Sequence, residues 1–265
     1  NFKKKKNSYV LTGILFFSIL LYSSCPIFAS DSEIAKSSST KLKIEHHKLK
    51  VEFYSKAIEL DSEYTDAYIN RAIAYYNLNE FRLAIDDYSR AIELRPDDSS
   101  IYNRRGYSYY RLEEYQNAIE EYNRAIELDS HTALYYTNRG IAYFGLKEYQ
   151  KAIANYSEAI KLEPEKASHY NRRGYSYYLL KEYQNAINEY NKAIELDPRS
   201  ALYYTNRGNT HYDLKEYHKA IADYSKAIEL APNTDIYYIN RGVTYYQVKE
   251  YQKAIANYSE AIKLE

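Results

Sequence analysis

Residues 133–166 read ALYYTNRGIAYFGLKEYQKAIANYSEAIKLEPEK, and the chain repeats this 34-residue pattern from Thr65 to its last residue. Five full copies and most of a sixth follow one another without a gap, over residues 65–98, 99–132, 133–166, 167–200, 201–234 and 235–265. Each copy has Gly or Ala at its positions 8, 20 and 27, and a large or aromatic residue at positions 4, 11, 17 and 24. A period of this length is typical of solenoids, which more often supply a binding surface than a reaction site.

The spacing of these positions predicts two helices in each copy. Positions 4, 8 and 11 are separated by four and three residues, and so are positions 20, 24 and 27. Side chains at this spacing share one face of an α-helix, so we expect antiparallel helices A and B of about a dozen residues each. Proline at position 32 cannot continue helix B and turns the chain into the next helix A; it is found at Pro96, Pro164, Pro198 and Pro232.

The same positions resemble the tetratricopeptide repeat family, with Gly or Ala at 8, Ala at 20 and 27, an aromatic residue at 24 and Pro at 32. The resemblance covers residues 65–265 and half a copy before them, and it implies an all-α, right-handed α-solenoid of antiparallel helix pairs. The chain departs from the family at position 7, where every copy has arginine: Arg71, Arg105, Arg139, Arg173, Arg207 and Arg241. We expect these arginines to form structural ion pairs with Glu or Asp of an adjoining helix.

The residues before the repeats divide into three predicted segments. Residues 1–29 are typical of a signal peptide or N-terminal membrane anchor, because four lysines precede an apolar run that begins at Tyr9. The run to Tyr22 is shorter than the roughly 20 residues of a membrane span, but residues 9–29 together would be long enough for an anchor. We expect residues 30–41 to be a Ser-rich flexible linker, and residues 42–64 a half repeat whose helix over 42–60 caps the first copy.

Composition weighs against several functional classes. Lys and Arg number 36, as do Asp and Glu; without residues 1–29, which hold four lysines, 32 basic residues face 36 acidic ones, a net charge of −4. A mildly acidic solenoid gives no electrostatic reason to expect a nucleic acid partner. The six histidines have no metal-ligand spacing, and no common catalytic or phosphate-binding motif is present. We therefore expect no enzyme activity, no metal and no cofactor.

The family resemblance also implies where a ligand would bind, because helix A lines the concave groove and its positions 6 and 12 face it. Position 6 holds Asn70, Arg104, Asn138, Arg172, Asn206 and Asn240, and position 12 holds Tyr76, Tyr110, Phe144, Tyr178, Tyr212 and Tyr246. An asparagine amide can both donate to and accept from a peptide backbone. These asparagines can equally bond a neighbouring helix, and the residues leave both interpretations open.

Neighbouring copies alternate in sequence. The second and fourth share YNRRGYSYY, and the third and fifth share ALYYTNRG, which indicates a duplicated unit of 68 residues. A groove built this way would carry an arginine at every second step, about 20 Å apart if neighbouring helices lie ~10 Å apart. No copy has the lysine at position 5 that the family uses to clamp the C-terminal carboxylates of chaperones, so we do not expect that ligand.

These observations predict an exported scaffold, in the periplasm, on the cell surface or secreted, that binds extended peptide segments of a protein partner in its concave groove. The membrane would be contacted only through the N-terminal segment. Two alternatives remain: an envelope-anchored structural or assembly factor that uses its convex face or C-terminal end, and the interaction part of a truncated larger enzyme. Glu265 stands at position 31 without a polar helix after it, so self-association through an uncapped C-terminal end also remains open.

Overall fold

The computed structural model describes residues 32–264, with side chains from Lys41 onward, and this part of the chain contains thirteen α-helices and no strand. The helices A are α2 (Thr65–Asn77), α4 (Ser99–Arg111), α6 (Ala133–Gly145), α8 (Ala167–Leu179), α10 (Ala201–Asp213) and α12 (Asp235–Gln247). The helices B are α3 (Phe81–Leu94), α5 (Tyr115–Leu128), α7 (Tyr149–Leu162), α9 (Tyr183–Leu196), α11 (Tyr217–Leu230) and α13 (Tyr251–Leu264). They follow α1 (Ser32–Leu60).

The packing order is that of a solenoid. Each helix from α2 to α12 contacts the helix that follows it, and neighbouring helices A also touch in the pairs α4–α6, α8–α10 and α10–α12. Residues from His47 onward form one compact unit. The predicted all-α solenoid is confirmed.

Small residues allow the two helices of a copy to approach closely. The alanines at positions 20 and 27 are buried in all six copies, and the tyrosine at position 24 is buried in the first five. The glycine at position 8 lies against that tyrosine. A Cβ atom added to Gly174 would stand 2.9 Å from Cε1 of Tyr190, closer than carbon atoms normally pack, so a larger residue would push the helices apart.

The arginine at position 7 joins three helices. Arg105 of α4 forms two hydrogen bonds to the Glu121 carboxylate of α5, at 2.9 and 2.8 Å, and donates a third to the Ser89 hydroxyl of α3 at 2.9 Å. The expected ion pair is present in four copies, as Arg71–Asp87, Arg105–Glu121, Arg173–Glu189 and Arg207–Asp223. In the other two copies Arg139 and Arg241 bond instead to the amide oxygens of Asn155 and Asn257.

The helix before the repeats is longer than predicted. α1 begins at Ser32, so residues 32–41, expected to be part of a flexible linker, are helical. The physical reason is that residues 32–60 contain neither glycine nor proline, so nothing interrupts the helix that the capping segment begins. The predicted signal peptide or anchor, residues 1–29, lies outside the described residues. Over residues 32–264, no helix is both long enough and apolar enough to cross a membrane.

Candidate functional site

Four consecutive helices A line a concave site. Residues of α4, α6, α8 and α10 enclose an open pocket of about 490 Å³, and Tyr156 of α7 reaches it from the helix B behind. Its lining combines aromatic rings, asparagine amides and one guanidinium group: Tyr110, Ile141, Phe144, Tyr156, Asn171, Arg172, Tyr175, Leu202, Asn206 and Asn209. An open pocket of mixed polarity, spread over several repeats, suits an extended chain better than a compact small molecule.

A second pocket of about 190 Å³ continues the first along the solenoid. It is lined by Tyr178, Asn209, Tyr212, Asp213, Tyr224, Asn240 and Val243. Asn209 belongs to both pockets, so the two adjoin and together form one groove across α4 to α12. We call this surface the helix-A groove.

The structure places seven of the twelve predicted site residues in these two pockets. Tyr110, Phe144, Arg172 and Asn206 line the larger one, and Tyr178, Tyr212 and Asn240 the smaller one. The other five line neither: Asn70, Arg104, Asn138, Tyr76 and Tyr246. Asn70 donates from Nδ2 to the carbonyl oxygen of Asp66 on its own helix, at 2.7 Å. For all twelve residues, ligand binding stays a prediction.

Asparagines of neighbouring helices A bond to one another. Nδ2 of Asn138 donates to Oδ1 of Asn103 at 2.8 Å, and Nδ2 of Asn206 donates to Oδ1 of Asn171 at 2.8 Å. The contact with a neighbouring helix is therefore realised for both position-6 residues. Each pair uses one amide hydrogen and one oxygen lone pair, and an amide has two of each, so both pairs keep capacity for a ligand.

The partners at position 5 were missed in the sequence. Asparagine occurs at position 5 only in the second and fourth copies, as Asn103 and Asn171. Each of them lies 35 residues before the asparagine from which it accepts a hydrogen bond. That offset, one repeat plus one residue, is the signal that would have found them, because it brings neighbouring helices A side by side. Asn209, which lines both pockets and accepts from the Tyr224 hydroxyl at 2.7 Å, was also missed.

Aromatic rings of the helices A form two short stacks, one of them in the groove. Tyr175 lies between Phe144 and Tyr178, with ring centroids 5.7 and 5.8 Å away. Two repeats earlier, Tyr107 lies in the same way between Tyr76 and Tyr110, at 5.5 and 5.8 Å. In each stack the central ring is at position 9, where only the second and fourth copies have tyrosine. These rings offer flat apolar surface beside the amides.

Three tyrosines in or beside the groove, Tyr88, Tyr156 and Tyr178, keep their hydroxyl protons at neutral pH. Burial raises the pKa of Tyr88 to about 12 against the opposing effect of Arg104, and burial likewise raises the pKa of Tyr156 beside Arg172. Burial and the hydrogen bond that the Tyr178 hydroxyl donates to Asp213, at 2.7 Å, raise the pKa of Tyr178. These groups therefore act as hydrogen-bond donors and carry no charge. Within residues 41–264, no cluster of three or more His, Cys, Asp or Glu side chains is arranged to hold a metal ion.

Family models for the tetratricopeptide repeat match residues 69–131, 133–166, 201–234 and 236–265, and a model described as TPR repeat matches residues 174–215. The chain belongs to the tetratricopeptide repeat family. Together the matched ranges include all or most of each of the six copies, and in every copy they contain the position-8 glycine or alanine that the tyrosine ring packs against. No curated protein sequence is significantly similar to the chain.

Solved tetratricopeptide repeat structures share this fold. A structure of MamA is 23% identical, with a TM-score of 0.57 over 60% of this chain and 93% of MamA. YrrB, described as a TPR protein with an unusual peptide-binding site, is 24% identical, with a TM-score of 0.56 over 68% of this chain and 92% of YrrB. PilF of Pseudomonas aeruginosa is 20% identical, with a TM-score of 0.63 over 73% of this chain and 88% of PilF. At these identities the likeness shows the fold alone.

Proposed function

We propose that the chain is a protein-interaction scaffold that binds an extended peptide segment of a partner in the helix-A groove. The observation that carries the proposal is the pocket of about 490 Å³ across α4, α6, α8 and α10, in which stacked rings lie beside the Asn171–Asn206 pair and an exposed arginine. Asparagine amides can follow a peptide backbone whatever its side chains, and the rings provide apolar contact. The net contribution of one hydrogen bond to binding is about 0.5–1.5 kcal/mol, so useful affinity requires several repeats to bind the peptide together.

A display library of random 12-residue peptides tests this function without a known partner. The full chain is screened beside a groove variant, Tyr175→Ser with Asn206→Ala, and a control variant, Tyr251→Ser. Tyr251 is 50% exposed on α13, outside both pockets, so the control removes an exposed tyrosine at a site that the proposal does not use. The melting temperature of each protein is measured first, so that a loss of fold is not read as a loss of binding.

We expect peptides that are enriched on the wild type and on Tyr251→Ser but not on the groove variant. Peptides retained equally by all three proteins would move the binding surface away from the groove and overturn the proposal. YrrB has the same fold and is described as having a peptide-binding site, which is consistent with this role.

Export from the cytoplasm is part of the proposal and rests on the sequence of residues 1–29 alone. Four lysines followed by an apolar run are typical of a leader whose amino end stays in the cytoplasm. Fusing residues 1–41 to an alkaline phosphatase that lacks its own leader tests this in a bacterial host, because that enzyme becomes active only after translocation. An inactive, full-length fusion would contradict export, and cleavage of an active one would separate a signal peptide from an anchor.

Self-association of two copies through α13 is a second candidate function. Ile255 and Ile262 are 58% and 70% exposed, whereas Ile153 and Ile160, at the same positions of the third copy, are 7% and 9% exposed. Sedimentation equilibrium of the wild type and of Ile255→Lys distinguishes a dimer formed through α13 from a monomer. A dimer that the substitution separates would support this function, and a monomeric wild type would contradict it.

A further inference from the structure

Two arginines at position 6 of helices A carry a charge that no ion pair of the described chain neutralises: Arg172, which lines the larger pocket, and Arg104, which stands at the same position of α4 two copies earlier. Arg104 and Arg172 are exposed at position 6 of the second and fourth copies. Across residues 41–264 neither forms an ion pair, although the next residue in each copy does, as Arg105 with Glu121 and Arg173 with Glu189. Adjacent arginines therefore have different roles: the second of each pair holds helices together, whereas the first is exposed on helix A without an ion pair.

The surroundings of the two arginines are duplicated along with them. Beside Arg172 stand the Asn171–Asn206 pair and the stack centred on Tyr175. Beside Arg104, 68 residues earlier, stand the Asn103–Asn138 pair and the stack centred on Tyr107. The position-24 tyrosine of the preceding helix B is close as well. Arg104 opposes the rise that burial causes in the pKa of Tyr88, and Arg172 does the same for Tyr156. Two equivalent sets of donors thus recur at every second repeat.

The donors of each set match a carboxylate. A guanidinium group gives two parallel N–H donors, and an asparagine Nδ2 or a tyrosine hydroxyl can supply a further one. The one carboxylate that lines either pocket is Asp213, and it accepts from Tyr178 in the smaller pocket rather than pairing with Arg172. No carboxylate of residues 41–264 pairs with either arginine, so each guanidinium group is available to a ligand.

We propose that the helix-A groove is a receptor for acidic peptides, with two equivalent carboxylate sites at Arg104 and Arg172 that one extended chain spans. This inference rests on the proposed function and names its ligand class: a peptide with two Asp or Glu side chains in register with the two arginines. Two repeats correspond to about 20 Å if neighbouring helices lie ~10 Å apart. An extended peptide advances about 3.3 Å per residue, so the two acidic residues would be separated by about six positions.

Fluorescein-labelled 14-residue peptides of Gly, Ser and Thr, carrying two glutamates at separations of three to nine residues, test the inference by anisotropy with the full chain. Matched peptides carry glutamine in place of glutamate. We expect the tightest binding near a separation of six, and a loss of about tenfold or more when both glutamates are replaced. Arg104→Gln and Arg172→Gln should each weaken binding of the best peptide by about tenfold.

Arg199→Gln is the matched control, because Arg199 is also exposed and without an ion pair within residues 41–264 but lies in the turn before α10, outside both pockets. This variant should bind as the wild type does. Equal losses in all three variants would show unspecific charge attraction and overturn the inference. So would an Arg172-dependent preference for a single-stranded dT12 oligonucleotide over the glutamate peptides.

Binding of the glutamine peptides distinguishes a failure of this inference from a failure of the proposed peptide-binding function. If they bind as tightly as the glutamate peptides, and Tyr175→Ser with Asn206→Ala abolishes binding of both, the groove binds peptides but does not select carboxylates. The inference would then be wrong and the proposed function would stand. If no peptide binds and the display screen also yields none that depends on the groove, both are wrong.

Discussion

At the scale of single residues, the tyrosines at position 24 occupy one packing site but differ in what their hydroxyl groups meet. The ring of Tyr190 is fully buried, and its hydroxyl has no hydrogen-bond partner within the described chain. The hydroxyl of Tyr224 donates to Oδ1 of Asn209 at 2.7 Å. A buried polar group without a hydrogen-bond partner destabilises the folded protein, whereas one with a partner stabilises it.

Replacing each of these tyrosines by phenylalanine should therefore have opposite effects. Tyr190→Phe removes an unsatisfied hydroxyl and should leave the free energy of unfolding unchanged or raise it by up to about 1 kcal/mol. Tyr224→Phe removes the shorter of the two hydrogen bonds to Oδ1 of Asn209 and leaves only the donor Nδ2 of Asn240, at 3.4 Å, so it should lower the free energy of unfolding by about 1 kcal/mol. Urea denaturation of both variants checks this, and an equal loss in the two would contradict it.

At the scale of the helices, the arginines at position 7 hold each helix A to two helices B, but their partners differ in charge. Arg105 and Glu121 are 17% and 15% exposed, so removing the arginine leaves a largely buried carboxylate unpaired. Arg139 occupies the same place in the next copy, and its partners are the neutral amides Asn155 and Asn123. This gives a matched pair of substitutions.

Arg105→Met should lower the free energy of unfolding by about 3 kcal/mol, and Arg139→Met by about 1–2 kcal/mol. Burial raises the pKa of Glu121 and Arg105 opposes that rise, so the pKa in Arg105→Met should lie higher still. A carboxyl group whose pKa is raised on folding destabilises the protein above that pKa, and this loss disappears as the pH falls toward the unfolded value of 4.5. Urea denaturation between pH 7 and 4.5 should show the deficit of Arg105→Met shrinking, while that of Arg139→Met stays constant.

The turn that joins helix A to helix B ends in the same way in every copy. The residue at position 15 has a φ of 60–62°, a left-handed conformation that costs a residue with a side chain about 1–2 kcal/mol. In the fourth copy the amide of Glu182 bonds to the carbonyl of Tyr177 at 2.9 Å, and that of Lys181 bonds to Tyr178 at 2.8 Å. These are the two bonds of a Schellman motif, whose left-handed residue is most often glycine.

Lys181→Gly should therefore raise the free energy of unfolding by about 0.5 kcal/mol. Glycine relieves the backbone strain of the left-handed conformation, but it also increases the entropy of the unfolded chain, which cancels part of that gain. Lys181→Ala removes the same charge but keeps the Cβ atom, so it should give no such gain. Thermal denaturation of both variants distinguishes strain from charge. A gain of equal size in both would show that the lysine charge, rather than the backbone, is responsible.

At the scale of the whole molecule, the stability of a solenoid is approximately a sum over repeats and their interfaces. Deleting residues 133–200 removes two copies and joins Thr132 to Ala201, where the sequence ALYYTNRG follows just as it does at residue 133. The shortened chain should fold, with the denaturant m-value lower by about a third because less surface is exposed on unfolding. Deleting residues 133–182 would instead place α5 directly before α9, two helices B, and should abolish cooperative unfolding.

The candidate site was predictable in part. The positions that face the groove follow from helical periodicity and the family pattern, and seven of the twelve predicted residues line the two pockets. The Asn103–Asn138 and Asn171–Asn206 pairs join different helices A, so the spacing within one helix does not reveal them; only the offset of one repeat plus one residue does. The lack of an ion pair at Arg172 also depends on which side chains neighbouring repeats bring near it.

The sequence by itself determined the helix pairs, the small residues at their crossings and the arginine column, because each follows from spacing within one copy. Burial was decided only by the tertiary structure. Residues 147–163 and 249–265 are identical in sequence, yet Ile153 is 7% exposed and Ile255 is 58% exposed. The physical reason is the neighbouring helix: α8 packs on α7, whereas the only helix of residues 32–264 in extensive contact with α13 is α12.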